Sequence, residues 1–194
     1  GAIATLTRGC RITVLSAGRA NVAKPGLPRP TDHMRIASIA KAFSGAIALH
    51  LVAEDKLSLD DTIGERRPDL PRAWARVTVR QLLNHSGGWD RDKSGDPINW
   101  SQQVALAMRV RLPINEEQLI RFTMGAPLDF DPGAKAVYSN FGYVVLGQIV
   151  AKVSGQSYER FVRTKVLKPM GIERMSLHDK GGRYFDGEAR RYTA

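Results

Sequence analysis

Hydrophobic and polar positions divide the chain into a short β-rich beginning and a longer helical remainder. Residues 2–7 and 11–16 are rich in β-branched and apolar side chains, and the Gly9-Cys10 pair between them is suited to a tight turn. This pattern predicts a β-hairpin. Residues 17–33 contain two glycines and three prolines, which predict an extended connection.

An apolar stretch after this connection predicts a helix from Ser38 to about Asp55. Its large apolar side chains do not keep to one stripe but cover most of the circumference, which predicts a helix buried on nearly all sides. These side chains are Ile39, Phe43, Ile47, Leu49, Leu51 and Val52. Ser38 is suited to the N-cap or to the first turn of this helix.

Further helices are indicated by the spacing of apolar residues and by the polar residues that precede them. They are predicted over residues 79–84, 101–110, 116–124, 140–155 and 157–167. Thr78 and Gln81 form a capping-box pattern before the first of them, and Asn115 and Asn140 are the predicted caps of two others. Loops are predicted over residues 62–76 and 89–99.

The predicted hairpin supplies two strands, and no third strand stands out in the sequence. A two-stranded sheet is marginal by itself, and the helices need a sheet or each other to cover their apolar faces. The chain is long enough for one domain with a hydrophobic core. We therefore expect residues 1–194 to be one incomplete domain of mixed α/β (α+β) class, with its remaining strands outside this sequence.

Composition argues against several kinds of function. The chain carries 29 basic against 19 acidic residues, a net charge of +10, but the basic residues are scattered and aromatic residues make up only 7%. A surface for nucleic acid would show clustered basic residues, so we expect no nucleic-acid partner. Cys10 is the only cysteine and the four histidines lack ligand spacing, so no metal site is expected. We find neither an apolar run of membrane-spanning length nor a signal peptide.

Ser38 and Lys41 are three residues apart at the start of the predicted helix, so their side chains share one face. A serine hydroxyl is a poor nucleophile until a base removes its proton. Burial and the positive end of the helix dipole both favour the neutral, basic form of a lysine placed there. The pair therefore predicts a nucleophile and its base, and Ser-x-x-Lys is a known catalytic motif. The alternative is a capping serine and a lysine that extends to water.

Tyr138 and Asn140 form a second candidate group. Residues two apart in an extended segment face the same way, so both side chains can project into one space. A phenol transfers protons well when nearby cations lower its pKa, and an amide can both donate and accept hydrogen bonds. The alternative is a packed core tyrosine followed by a capping asparagine.

The two groups together resemble the serine hydrolases related to class C β-lactamases. That family also contains D-alanyl-D-alanine carboxypeptidases and the family VIII esterases. Several stretches resemble family signatures and occur in the family order, so the likeness covers nearly the whole chain. These stretches are Arg35–Lys41, Leu57–Asp61, Val77–Gly88, Pro132–Tyr143 and Gly155–Ile172.

The resemblance implies a fold and a role for each candidate residue. The fold is the β-lactamase/transpeptidase-like one, an antiparallel sheet flanked by helices, present here only in part. Ser38 would be the acylated nucleophile, its backbone N–H would be one half of the oxyanion hole, and Lys41 would take part in deprotonation. Tyr138 would be the second proton-transfer group, for the leaving group and for the deacylating water. Asn140 would orient Lys41 and the substrate carbonyl.

Two features of the family are missing from the sequence: a helix before the first strand, and a third motif. That motif is Lys-Thr/Ser-Gly or a His/Trp-x-Gly variant, on a sheet strand well after the tyrosine. Similar letters occur, but too early in the chain or too soon after Tyr138, at Lys93-Ser94-Gly95, His85-Ser86-Gly87 and Lys180-Gly181-Gly182. We expect His85 to make a structural hydrogen bond instead. Since the missing strand would supply the second oxyanion donor, we expect these residues alone to be inactive.

These inferences predict a serine hydrolase that acts through an acyl-enzyme on a carboxylic ester or amide, as an esterase or β-lactamase-like enzyme. One alternative is a D-Ala-D-Ala carboxypeptidase or penicillin-binding protein, and another is a non-catalytic binding relative of the same fold. No cofactor is expected. The expected partners are a small ester, β-lactam or peptide substrate and the remainder of the domain. The resemblance also implies a periplasmic or secreted location.

Overall fold

The structure, a computed structural model, describes residues 1–177 and Glu188. The described residues divide into two units, one made of residues 1–37 with Glu188 and the other of residues 38–177. The secondary structure is mixed, with a small antiparallel sheet in the first unit and helices in the second. The expected α+β class is therefore confirmed.

The first unit contains the predicted hairpin. Strand β1 (Ala2–Arg8) pairs with β2 (Arg11–Ala17) in an antiparallel register that sets Arg8 opposite Arg11. The turn between them uses Gly9 at φ +58°, a conformation that glycine adopts without steric cost. Within the described residues this sheet has no third strand. Consequently, large apolar side chains of the hairpin remain exposed, among them Leu6, Ile12 and Leu15.

The connection after the hairpin has no further strand, but it is not simply extended as predicted, because turns and isolated bridges interrupt it. Asn21 bridges to Lys24 in the antiparallel sense, and His33 bridges to Glu188 in the parallel sense. The nearly buried Glu188 carboxylate also accepts a 2.9 Å hydrogen bond from Arg35 Nε. Glu188 therefore joins the connection by both backbone and side chain.

The second unit is helical, and most of its elements lie where the apolar spacing predicts them. Its α-helices are α1 (Ala40–Ala53), α2 (Ile63–Arg66), α3 (Arg72–Ala75), α4 (Val79–Leu83), α5 (Ser101–Met108), α6 (Glu116–Thr123), α7 (Asn140–Ser154) and α8 (Tyr158–Val162). A 3-10 turn, Ala37–Ile39, precedes α1, another spans Pro97–Asn99, and a π-helical turn, Arg163–Leu167, continues α8. The predicted capping box at Thr78 and the predicted cap at Asn115 are confirmed.

Two predictions about where these helices begin are wrong. Residues 62–76 are not a continuous loop, because Thr62 and Glu65 form a capping box that starts the short helix α2, and α3 follows. Asn140 does not cap α7. Ser139 is the N-cap, with extended backbone angles and its Oγ accepting from the Gly142 N–H at 3.0 Å. The Asn140 side chain is thereby free for other contacts.

Helix α1 is buried on one side only, which corrects the prediction of burial on nearly all sides. Ile47, Ala48 and Leu51 are fully buried, whereas Ile39 is 67% exposed and Leu49 is 52% exposed. The elements packed against α1 are mainly α7, α8 and the π-helical turn. In the described part of the second unit, the apolar stripe that contains Ile39 and Leu49 is left uncovered.

An aromatic cluster of Trp74, Trp89 and Phe141 forms the part of the core that underlies α7. The three rings meet edge to face with centroids 5.3–5.7 Å apart, and Trp74 and Phe141 are almost completely buried. Such pairs add about 0.5–1.5 kcal/mol each to the burial of the rings. Because Phe141 directly follows Asn140, this cluster fixes the first turn of α7.

The longest helix, α7, has 15 residues, fewer than the roughly 20 needed to cross a bilayer. Across the described part of the chain, no helix combines the length and the apolar character of a membrane span.

Candidate active site

Ser38 and Lys41 lie where the chain enters α1. Ser38 is in the 3-10 turn Ala37–Ile39, and Lys41 is in the first turn of α1. Ile39 occupies the N-cap position and makes no side-chain cap, so the Ser38 hydroxyl does not cap the helix. Ser38 is exposed, which leaves its hydroxyl accessible from solvent, whereas Lys41 is half-buried.

Tyr138 and Asn140 lie on either side of the helix cap at the start of α7. Ser139, between them, is buried and extended, and its capping hydrogen bond ends the loop. Because the chain is extended at Ser139, the side chains before and after it point into the same region. The structure thus brings both residues to the start of α1, about a hundred positions earlier in the sequence.

The four predicted side chains form one connected group. Ser38 Oγ lies 2.5 Å from Tyr138 Oη, a short hydrogen bond. Lys41 Nζ donates to Asn140 Oδ1 at 2.6 Å and lies 3.5 Å from Ser38 Oγ, at the outer limit of a hydrogen bond. The ammonium also lies 4.7 Å from the centroid of the Tyr138 ring. A hydroxyl, a phenol and an amine within reach of one another can move a proton away from the hydroxyl.

The surroundings of Tyr138 favour loss of its proton. The hydrogen bond with the Lys41 ammonium, followed by the one with Ser38, lowers the pKa of the Tyr138 phenol below its usual value near 10. The Arg91 guanidinium, 4.8 Å from the ring centroid, adds a smaller effect of the same sign. Positive charge around the ring therefore brings the phenol closer to the range where it can act as a base.

His85 packs against Tyr138 and supports the segment that carries it. Its ring stacks on Tyr138 with centroids 4.6 Å apart, and its Nδ1 accepts a hydrogen bond from the Ser139 N–H at 3.1 Å. Its carbonyl oxygen accepts from the Val137 N–H at 2.9 Å. Burial and the Lys41 charge both lower the pKa of His85, which keeps Nδ1 free to accept. The expected structural hydrogen bond of His85 is confirmed.

Sequence reasoning missed Asp96 and Arg91, which lie in the predicted polar loop after Trp89. Asp96 Oδ2 accepts a 2.6 Å hydrogen bond from Asn140 Nδ2, and Arg91 lies against Tyr138. The loop contains several similar charged residues, among them Asp90 and Asp92. No local pattern separates Asp96 from these neighbours, since only the fold brings one of them to Asn140.

The other stretches that resembled a third motif have separate roles or fall outside the description. Ser94 donates to Asp129 Oδ2 at 2.7 Å, so Lys93-Ser94-Gly95 belongs to the contacts that fasten its own loop. The Lys180 stretch lies outside the described residues.

A cavity of about 110 Å³ is lined partly by Arg91, Asp96 and Ser139, but Ser38 does not line it. No group of three metal-binding side chains occurs among residues 1–177 and Glu188.

A family model described as Beta-lactamase matches residues 1–183 of this chain. Its match includes all four members of the connected group, Ser38, Lys41, Tyr138 and Asn140. The match therefore covers both described units up to residue 177.

Similar individual proteins include two curated relatives and one solved structure. The chain is 36% identical over 135 residues to a probable fimbrial assembly protein FimD, serogroup H1, of Dichelobacter nodosus, covering 68% of this chain and 32% of that protein. It is 31% identical over 145 residues to a putative D-alanyl-D-alanine carboxypeptidase of Escherichia coli K12, covering 71% and 32%. The D-amino acid amidase of Ochrobactrum anthropi SV3, solved with D-phenylalanine, superimposes with a TM-score of 0.74 at 28% identity, over 97% of this chain and 50% of the amidase. The chain thus spans about a third of the length of these curated relatives.

Proposed function

This chain belongs to the β-lactamase family, a family of serine hydrolases, and on that premise we propose that it hydrolyses a carboxylic ester or amide through an acyl-enzyme. The observation that carries this proposal is the connected group of Ser38, Tyr138, Lys41 and Asn140. In it, the exposed serine hydroxyl lies 2.5 Å from the phenol and 3.5 Å from the amine. An intact group of this kind argues against a non-catalytic binding relative.

In the proposed acylation step, Ser38 Oγ attacks the carbonyl carbon while its proton passes to the Tyr138 phenolate, which becomes a neutral phenol. Tyr138 is assigned this transfer because its oxygen is 1.0 Å closer to Ser38 Oγ than Lys41 Nζ is. Before the transfer, the Lys41 ammonium stabilises the negative charge of the phenolate, and during the attack the Ser38 N–H donates to the carbonyl oxygen, where negative charge develops. When the tetrahedral intermediate collapses, Tyr138 returns the proton to the departing alcohol or amine.

Deacylation repeats these transfers with water in place of the serine. Tyr138 accepts a proton from the water as it attacks the acyl carbon, and then gives the proton back to Ser38 Oγ as the ester bond breaks. Asn140 keeps the Lys41 ammonium at 2.6 Å through both half-reactions. The same residues therefore serve as base and acid in turn, as reversibility requires.

For the substrate, we propose a small ester or a β-lactam-like amide first and a D-Ala-D-Ala peptide second. The peptide alternative is supported by the E. coli relative, whose name gives that activity. A simple amide is supported by the D-amino acid amidase that shares the fold. All of these substrates contain a carbonyl carbon that the serine would attack, and they differ in the acyl group and in the leaving group attached to it.

The proposal is tested on the natural protein that contains this chain, with a fluorophosphonate and a penicillin as covalent probes and mass spectrometry to map the adduct. We expect the adduct on Ser38 and no labelling of Ser38→Ala. Ser58→Ala, which removes another exposed serine, is the control and should label normally. An adduct elsewhere, or equal labelling of Ser38→Ala, would end the assignment. Turnover of nitrocefin, p-nitrophenyl butyrate and a D-Ala-D-Ala peptide then ranks the substrates.

A periplasmic or secreted location is proposed from the family likeness alone. Cell fractionation with an antibody against residues of this chain tests it, and recovery of the protein with cytoplasmic markers would contradict it.

A further inference from the structure

The contact between Asp96 and Asn140 extends the connected group beyond the four residues that the family likeness assigns. Asn140 lies between a cation and an anion: its Oδ1 accepts from Lys41 Nζ, and its Nδ2 donates to Asp96 Oδ2, each at 2.6 Å. An ammonium can only donate hydrogen bonds, and a carboxylate can only accept them. One orientation of the amide satisfies both partners, and the flipped orientation satisfies neither.

We propose that Asp96 is a positioning residue for the reaction, and that it acts by fixing the side-chain amide of Asn140 with Oδ1 towards Lys41. This proposal rests on the proposed function. Because the oxygen and nitrogen of an amide have nearly the same shape, packing does not oppose a 180° rotation, and without Asp96 only the contact with Lys41 would oppose it. In the rotated form Nδ2 faces Lys41 Nζ, and two donors then oppose each other. Asp96 excludes that form.

The loop that carries Asp96 is fastened well enough to hold a carboxylate in place. Trp89 and Pro97 are buried on either side of the loop. Asp129 Oδ2 accepts from the Asp90 N–H at 2.9 Å and from Ser94 Oγ at 2.7 Å. Asp96 itself starts the 3-10 turn Pro97–Asn99. The carboxylate therefore meets Asn140 from a fixed backbone and not from a freely moving loop.

The test compares acylation rates in the natural protein, measured as the rate of fluorophosphonate labelling and as the burst with p-nitrophenyl butyrate. We expect Asp96→Ala to slow acylation about ten- to a hundredfold, the range that a hydrogen bond to a charged group provides, with KM changed less than about threefold. In an Asn140→Ala background, where there is no amide to orient, Asp96→Ala should change the rate less than about threefold. Asp60→Ala removes a carboxylate from an exposed surface pair and should have no effect.

Asp96→Asn is the control for a folding defect in Asp96→Ala. It keeps the shape of the side chain, an acceptor oxygen and the cap of the 3-10 turn. It should slow acylation about three- to tenfold, and this effect should also disappear in the Asn140→Ala background. A loss that is equally large without Asn140, a loss confined to KM, or full activity of both variants would overturn the role of Asp96. If Ser38→Ala still acylates, the proposed function itself is wrong. If Ser38→Ala is inactive and both Asp96 variants are normal, only the positioning role fails.

Discussion

Tyr138→Phe removes one oxygen atom from the candidate site and leaves the rest of the side chain in place. The His85 ring can still stack at 4.6 Å, and the Lys41 ammonium still faces the aromatic ring at 4.7 Å. The lost contact is the 2.5 Å hydrogen bond to Ser38 Oγ. We therefore expect little change in the free energy of unfolding and a large change in the acylation rate.

The size of the rate change follows from what can replace the phenol. General acid–base catalysis by a positioned side chain contributes about a hundred- to ten-thousandfold. Lys41 Nζ is the remaining polar group of the connected group near Ser38 Oγ, but it lies 3.5 Å away and as an ammonium it has no lone pair to accept the proton. We expect acylation of Tyr138→Phe to be slower by about a hundredfold or more, roughly 3 kcal/mol in activation free energy. The assay is the burst of p-nitrophenol from p-nitrophenyl butyrate, with thermal unfolding of the same samples.

Tyr143→Phe is the matched control, since it removes the same atom from a tyrosine on the same helix. Tyr143 Oη donates to the Leu83 carbonyl at 2.9 Å, a structural contact between α7 and α4. Its loss should lower stability by about 0.5–1.5 kcal/mol and leave the burst rate within threefold. Tyr138→Phe should therefore slow the burst with little loss of stability, whereas Tyr143→Phe should lower stability with little effect on the burst.

The pH dependence provides a second measurement on the same variants. Because the pKa of Tyr138 is lowered, the phenol loses its proton at a lower pH than an ordinary tyrosine. Acylation should rise with pH as the phenol ionises, and this limb should be missing in Tyr138→Phe. Acylation of Tyr138→Phe within threefold of the natural protein, with the limb retained, would refute the assignment of proton transfer to Tyr138.

Three further predictions concern stability and completeness. Phe141→Ala should lower the free energy of unfolding by about 3–5 kcal/mol, because it opens the cluster with Trp74 and Trp89; urea unfolding measures this, and a loss below 1 kcal/mol would contradict it. Burial and the Lys41 charge hold the pKa of His85 in the folded protein below its unfolded value near 6.5. As pH falls, the unfolded chain therefore takes up this proton first. The contribution of neutral His85 to stability is lost as pH falls through 6.5 towards the folded pKa. His85→Asn should show a shallower loss of stability in that window, and an unchanged slope would show that other groups cause it. The 194 residues expressed alone should turn over esters at least about a hundredfold more slowly than the natural protein, as expected when one oxyanion donor is lost, and ordinary rates would refute this.

Some helix starts can be predicted from the sequence and others cannot. The start of α4 was predictable because a capping box is local chemistry, in which Thr78 and Gln81 need only each other. The same signal at Thr62 and Glu65 stands in a stretch rich in proline and arginine, whose composition favours a loop. The sequence predicts the cap of α7 one residue too late, because serine and asparagine are both good caps and only the backbone angles decide between them.

By itself, the sequence determined the family, the α+β class, the β-hairpin with its turn, and the four residues Ser38, Lys41, Tyr138 and Asn140 as candidates. These features depend on residue types at short spacings and on the order of motifs, both of which can be read from the sequence alone. Only the tertiary structure decided that Tyr138 and not Lys41 lies nearest to the serine, and that Asp96 is the residue that meets Asn140. Those distances depend on how a loop and two helices, far apart in sequence, pack against one aromatic cluster, and no local pattern encodes the result.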